Sequence, residues 1–228
     1  MIAPPERSPE RDAALEAMLP NVPFDGWTYR ALRLGLASIG VPGDEAELLF
    51  PGGSADMIEA FCDWADRRMQ EASATQVTGD KLPERVRALI ALRLAQNRPY
   101  KEAVRRAVTV LALPRNVRLA ATCTARTVDT IWHVAGDRSA DFTWYTKRAI
   151  LGAAYSAMLL YWLRDRGEDD SATLGFLDRR MAGIAWTHRL RRRADAVVER
   201  FTSRMALFTS RGEQGPEAKR TDAARSAG

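Results

Sequence analysis

The sequence predicts an all-α fold, a bundle of about nine or ten helices, on two observations. Apolar residues recur at helical spacing along most of the 228 residues, while no alternating run of β-branched and aromatic residues ends in a hairpin turn. Proline and glycine residues divide these stretches into separate helices. Hydrophobic residues make up 46% of the chain, so it has enough apolar surface for a sizeable core.

The N-terminal third predicts four helices, over residues 10–19, 27–39, 44–50 and 54–73, with Ser54 as the N-cap of the last. Three short helices followed by a longer one is the layout of a TetR-type helix-turn-helix domain, whose short third helix enters the DNA major groove. Here the third segment carries three carboxylates and no Arg or Lys, so DNA phosphates would repel it. Residues 9–75 are therefore predicted to be a helix-turn-helix domain that no longer reads DNA.

The middle of the chain predicts helices over 84–96, 101–113 and 117–132, followed by a helix that starts near residue 141. Gly136 is predicted to end the third of these as the C′ residue. Residues 149–163 carry no charge and several small side chains, which predicts a helix buried on all sides. Small residues allow either tight helix packing or a cavity, and tight packing is favoured because protein interiors are usually full.

The last part predicts a helix with Ser171 as its N-cap and a final amphipathic helix over about 189–208, within a segment 188–211. Ten Lys and Arg against five Asp and Glu from Thr187 onward account for the net charge of +5. A bulky apolar stripe opposite arginines is typical of a membrane-surface helix, although a helix docked on its own domain or in a dimer interface would show the same pattern. The predicted contact residues are Leu190, Arg193, Val197, Val198, Phe201, Arg204, Met205 and Phe208. Residues 212–228 are predicted to be disordered.

The sequence offers little that would support catalysis or metal binding. It has two histidines and two cysteines, none in a recognised metal or nucleophile motif, and no phosphate-binding loop. We therefore expect no enzyme activity, no catalytic residue, no metal and no cofactor. The cysteines, Cys62 and Cys123, are expected to be buried free thiols, although a disulfide between them is possible.

Aromatic residues cluster around the turn at Gly136. Trp132 precedes the turn, and Phe142, Trp144 and Tyr145 follow it. Two interpretations remain open: some of these side chains form an exposed hot spot for a partner protein, or they cap the core of a helix hairpin.

The run from Ile131 to Leu163 contains W-H-V-A-G-D-R-S-A-D-F-T-W-Y-T-K-R. It resembles the signature of the accessory protein numbered nine in coenzyme Q biosynthesis. The stretches L-P-N-V-P-F-D-G-W-T from Leu19 and L-A-L-P-R-N-V from Leu111 extend the resemblance over most of the chain.

The resemblance implies a TetR-like fold without DNA binding, whose helical core over residues 76–187 holds isoprenoid quinone precursors or phospholipid in an apolar cavity. It implies that the final amphipathic helix contacts membrane lipid. It also implies that the aromatic corner, Trp132, Asp141, Trp144 and Tyr145, docks the di-iron demethoxyubiquinone hydroxylase. A homodimer and a peripheral position on the cytoplasmic face of a bacterial inner membrane follow as expectations. The alternative is a TetR-type repressor that binds an apolar inducer.

Overall fold

A computed structural model of the chain describes residues 3–79, 81–137, 143–167 and 169–181. The side chains of residues 143 and 144 are outside this description. Contacts divide the chain into two units, Met1–Asp178 and Arg179–Gly228. Within the described ranges every regular element is helical and no strand occurs. The predicted membrane helix with its eight contact residues, and the predicted tail, lie outside the described residues.

The N-terminal part is built from four short helices and one long one. They are α1 (Pro9–Met18), α2 (Val22–Asp25), α3 (Tyr29–Ser38), α4 (Ala46–Leu49) and α5 (Gly53–Gln76). A 3-10 turn, Gly43–Glu45, leads directly into α4. The layout of short helices before a long one is thus confirmed. The sequence prediction missed α2 and joined the 3-10 turn and α4 into one helix.

Five further helices complete the described chain. They are α6 (Leu82–Asn97), α7 (Lys101–Leu111), α8 (Val117–Val134), α9 (Thr143–Arg164) and α10 (171–181). The predicted helices end within a few residues of these bounds. Such differences are expected because helix ends depend on local capping.

Two predicted N-caps are wrong. Ser54 lies inside α5, which begins at Gly53, and its hydroxyl donates a hydrogen bond to the carbonyl of Trp27. Ser171 is the first helical residue of α10. The carbonyl of Asp170 accepts the hydrogen bond from the backbone N–H of Leu174 at 2.8 Å, so Asp170 holds the capping position.

The predicted C′ role of Gly136 is confirmed. Its φ of 84° is left-handed, and its N–H donates to the carbonyl of His133 at 3.0 Å. The N–H of Asp137 donates to the carbonyl of Trp132 at 3.0 Å. These two hydrogen bonds form a Schellman motif, which ends α8 and turns the chain toward α9.

A buried polar cluster connects the four helices α5, α6, α8 and α9. Arg93 of α6 pairs with Asp66 of α5 at 3.0 Å, and Thr127 of α8 donates to the same carboxylate at 3.0 Å. The Arg93 guanidinium also donates to the hydroxyl of Tyr155 on α9 at 3.2 Å. Burial raises the pKa of Asp66 to about 6 against the opposing attraction of Arg93. The cluster holds α8 and α9 against α5 and α6, because each of its buried groups needs its partners.

The prediction that the fourth middle helix is buried on all sides is wrong. Met158 and Trp162 of α9 are buried, but Leu160 is 53% exposed and Tyr161 is 36% exposed. The helix packs against α8 along one face and leaves apolar side chains on another. An apolar composition on every face therefore did not mean contact on every face.

Candidate functional site

The described residues contain an open apolar groove between α8 and α9, with a volume of about 660 Å³. Its walls are mostly small, and half of the twelve lining residues are alanine or glycine. The lining residues are Ala120, Ala121, Thr124, Ala125, Val128, Asp129, Tyr145, Arg148, Ala149, Gly152, Ala153 and Ser156. Small side chains on two facing helices leave space that larger ones would fill, and this space is the candidate site.

Gly152 lies where α9 comes close to two side chains of α8. A Cβ atom there would lie 3.8 Å from the Cγ2 of Thr124 and 3.9 Å from the Cγ2 of Val128, which are ordinary contact distances. Farther out, the alanines Ala121, Ala125 and Ala153 are exposed. The prediction of tight packing along α9 is therefore wrong on this side, and the cavity that was the less favoured alternative is present.

One end of the groove is polar. Arg148 pairs with Asp129 at 2.7 Å, and both residues line the groove. Next to them Lys147 pairs with Asp137 at 3.1 Å. Because the remaining walls are apolar, the groove can hold an elongated apolar molecule whose polar end lies against these charges.

A second, inner groove of about 320 Å³ continues along the same two helices. It shares Ala120, Thr124 and Ser156 with the first groove and extends to α5 and α7. Its lining includes both cysteines, Cys62 and Cys123, which are free. The two grooves therefore meet at one wall and form a continuous apolar surface.

A third cavity of about 280 Å³ is polar. It is lined by Arg7, Arg67, Asp63 and Arg126 among others, but these charged side chains form ion pairs with other residues of the protein. Asp63 binds Arg7 at 2.6 Å and Arg67 at 3.0 Å, and Arg126 binds Glu59 at 2.6 Å. Burial opposes the shift, but the ion pairs with Arg7 and Arg67 lower the pKa of Asp63, and the cavity is best explained as structural.

The structure separates the residues predicted to dock a partner. Trp132 is only 8% exposed, with the Lys147 ammonium 5.8 Å from its ring centroid, whereas Tyr145 is 70% exposed and lines the groove. Asp141 and the side chain of Trp144 lie outside the described residues. The core interpretation of the aromatic corner therefore applies to Trp132, whereas the hot-spot interpretation stays a prediction for Tyr145, which lies at the surface.

Sequence reasoning did not identify the groove residues on α8. Ala121, Thr124 and Ala125 were read only as parts of a helix, yet they form one wall. The available signal was the matching run of small residues on both helices, which became informative only when the two helices were known to face each other.

The region that corresponds to a DNA-reading helix is short and acidic. Asp44, Glu45 and Glu47 are all exposed on the 3-10 turn and α4. Arg33 of α3, the nearest cation, is paired with Glu47. The geometry therefore offers DNA phosphates a negative surface.

Among the described residues, no group of three or more His, Cys, Asp and Glu side chains is placed to hold a metal ion. In the same part of the chain, none of the helices has the length and apolarity that a membrane span requires.

Comparison with known proteins assigns this chain to a family. The family described as COQ9 matches residues 117–188, the stretch that contains α8, α9 and α10. The mitochondrial ubiquinone biosynthesis protein COQ9 of Rattus norvegicus is 33% identical over 175 residues, which is 73% of this chain and 56% of the relative. The Homo sapiens protein of the same name is 33% identical over 175 residues, with 73% and 55% covered.

The mitochondrial ubiquinone biosynthesis protein coq9 of Schizosaccharomyces pombe is 33% identical over 167 residues, which is 73% of this chain and 66% of the relative. The chain thus spans about half to two thirds of the length of these curated relatives.

A solved structure shows a similar fold. The TetR transcriptional regulator from Nitrosomonas europaea superposes with a TM-score of 0.62 over 78% of this chain and 99% of that one, at 24% sequence identity. Identity at this level concerns the fold alone, and it confirms the predicted all-α, TetR-like architecture. The predicted homodimer, hydroxylase and lipid partners stay predictions. By sequence the chain belongs to the COQ9 family, and by structure it has the TetR-like helical fold.

Proposed function

We propose that this protein is a non-enzymatic accessory factor of ubiquinone biosynthesis that binds the apolar tail of a polyprenyl quinone precursor or a phospholipid in the groove between α8 and α9. It presents the bound precursor at the membrane surface to the demethoxyubiquinone hydroxylase. The observation that supports this most directly is the open apolar groove of about 660 Å³. The names of its relatives place them in ubiquinone biosynthesis.

The groove has the size and chemistry for a lipid tail. Its volume lies within the roughly 300–1,000 Å³ usual for small-molecule sites. Because the walls are mostly aliphatic, affinity would come from apolar burial, at about 0.8 kcal/mol per buried CH₂ group. One five-carbon isoprene unit would then contribute up to about 4 kcal/mol.

The polar end of the groove suggests an orientation for the ligand. The Arg148–Asp129 pair offers a hydrogen-bond donor and an acceptor to a quinone oxygen or a lipid head group. Tyr145, exposed beside this end, is then in position to contact a partner protein that receives the head group. We therefore assign the proposed docking role to Tyr145 rather than to the buried Trp132.

The first experiment asks whether the groove is filled. The full chain is purified, extracted with organic solvent, and the extract is analysed by mass spectrometry. A co-purifying quinone or isoprenoid that decreases in the Gly152→Leu variant supports the proposal. An extract that contains only lipid unaffected by this substitution contradicts groove binding, and an operator-dependent DNA shift would then favour the repressor alternative.

The second experiment addresses docking. Tyr145→Ala is compared with Phe24→Ala, since Phe24 is 83% exposed on α2, far along the chain, and serves as a matched surface aromatic. Binding to the purified hydroxylase should weaken at least tenfold for Tyr145→Ala, the usual scale for an aromatic hot spot, and stay unchanged for Phe24→Ala. Equal affinity of the two variants would remove Tyr145 from the docking surface.

A further inference from the structure

Cys62 and Cys123 are 61 positions apart in sequence but line the same groove. Cys62 lies on α5 and Cys123 on α8, two helices that pack against each other, and the two thiols shift each other's pKa. Two thiols on packed helices at one groove wall are candidates for a disulfide, which requires the sulfur atoms to come together. Both are reduced in this structure.

The surroundings make the two thiols unequal. The Nη2 of Arg126 lies 3.7 Å from the Sγ of Cys123, and Arg126 is itself held by Glu59 at 2.6 Å. The interaction with Cys62, together with Arg126, lowers the pKa of Cys123. The same interaction and burial raise the pKa of Cys62 well above its usual value. Cys123 is therefore the thiol that ionises first and acts as the nucleophile.

The pair borders a groove. Both cysteines line the inner groove of about 320 Å³; Cys62 is partly exposed, whereas Cys123 is buried at the groove wall. The rest of the lining is mostly apolar and includes the half-exposed Leu160. A small apolar oxidant can therefore approach Cys123 more readily than a strongly hydrated one.

We propose that Cys62 and Cys123 form an oxidisable dithiol site that reacts with apolar hydroperoxides in the inner groove. The Cys123 thiolate attacks the terminal oxygen of the hydroperoxide, the O–O bond breaks, and the alkoxide leaves as an alcohol with the proton that Cys123 released. Cys123 is now a sulfenic acid. The sulfur of Cys62 attacks it, the S–O bond breaks, and hydroxide leaves as water with the proton of Cys62. The two thiols lose two electrons and the hydroperoxide gains them.

This site is independent of the proposed function, because the reaction requires neither a quinone bound in the groove between α8 and α9 nor the hydroxylase. The resulting disulfide would join α5 to α8 at the floor of the inner groove.

The test adds cumene hydroperoxide, as the probe, to the full chain. Free thiols are then counted, and the intact mass is measured without reductant. The wild-type chain should lose both thiols and two hydrogens without forming a dimer, and recover both with dithiothreitol. Cys62→Ser should stop at a sulfenic acid on Cys123 that dimedone traps, whereas Cys123→Ser should yield no dimedone adduct. Wild-type thiols that persist, or a dimedone adduct on Cys62 in place of Cys123, would overturn the proposal.

A further pair of variants tests whether Arg126 activates the Cys123 thiol or only stabilises the fold through its ion pair with Glu59. Arg126→Gln removes the guanidinium beside Cys123, while Glu59→Gln breaks the same ion pair and keeps the guanidinium. Thiol loss should slow severalfold in Arg126→Gln and change little in Glu59→Gln, with thermal unfolding confirming that both variants fold. Equal rates in the two variants would show that Arg126 does not activate Cys123.

Discussion

Substitution of Gly152 tests whether the groove between α8 and α9 is a binding site. Gly152→Leu places a four-carbon side chain in the space beside Thr124 and Val128, where a Cβ atom already lies at contact distance. If that side chain displaces an equal length of bound lipid tail, the lost burial is about 3 kcal/mol at roughly 0.8 kcal/mol per carbon. Affinity for a polyprenyl ligand should then fall about 100-fold, at 1.4 kcal/mol per tenfold change.

The matched control is Gly152→Ala at the same position. Its Cβ meets neighbours at 3.8 and 3.9 Å, so it fits without displacement. Alanine should raise the free energy of unfolding by up to about 1 kcal/mol, because glycine is a poor helix former. Ligand affinity is measured by displacement of a fluorescent polyprenyl analogue, and stability by urea unfolding. Equal affinity of the leucine and alanine variants, both folded, would refute the assignment of the groove as the tail site.

Three further predictions concern stability. Gly35→Ala should lower the free energy of unfolding by about 1–3 kcal/mol in urea titrations, because its Cβ would lie 2.6 Å from the backbone nitrogen of Met18; an unchanged midpoint would refute this close contact. Gly136→Ala should lower the same free energy by about 1–2 kcal/mol, since a φ of 84° is unfavourable for a side chain, and differential scanning calorimetry would detect it. Burial raises the pKa of Asp66 from 3.8 to about 6, so between these values the folded chain keeps a proton that the unfolded chain has lost. Raising the pH through this window should therefore destabilise the wild type relative to Asp66→Asn, by at most about 3 kcal/mol; parallel pH profiles of the two would show that Asp66 does not titrate in this way.

Local features of the fold were readable from the sequence. Helical periodicity predicted every longer helix, and Gly136 predicted the end of α8, because both depend on residues a few positions apart. The acidic third segment likewise predicted a negative surface where a TetR-type helix would meet DNA. These inferences succeeded because they need only the composition and spacing of a single segment.

The packing of α9 could not be predicted from the composition and spacing of its own segment. Its charge-free run of small and apolar residues was compatible with full burial or with one open face, and only the position of α8 decided between them. The same holds for the groove, whose walls come from two helices. Its volume depends on small residues that face each other on α8 and α9. Neither sequence segment alone specifies that the two faces meet.

The amino-acid sequence by itself determined the all-α class, the order of the longer helices, the acidic character of the segment where a TetR-type helix would meet DNA, and the resemblance to the family. The tertiary structure alone decided that α9 leaves an apolar face open, that Tyr145 is exposed while Trp132 is buried, and that Cys62 and Cys123 line the same groove. The physical reason is the distance along the sequence between the residues that interact. Helices form from hydrogen bonds between residues four apart, whereas a groove or a thiol pair requires side chains distant in sequence to be brought together by the packing of the whole domain.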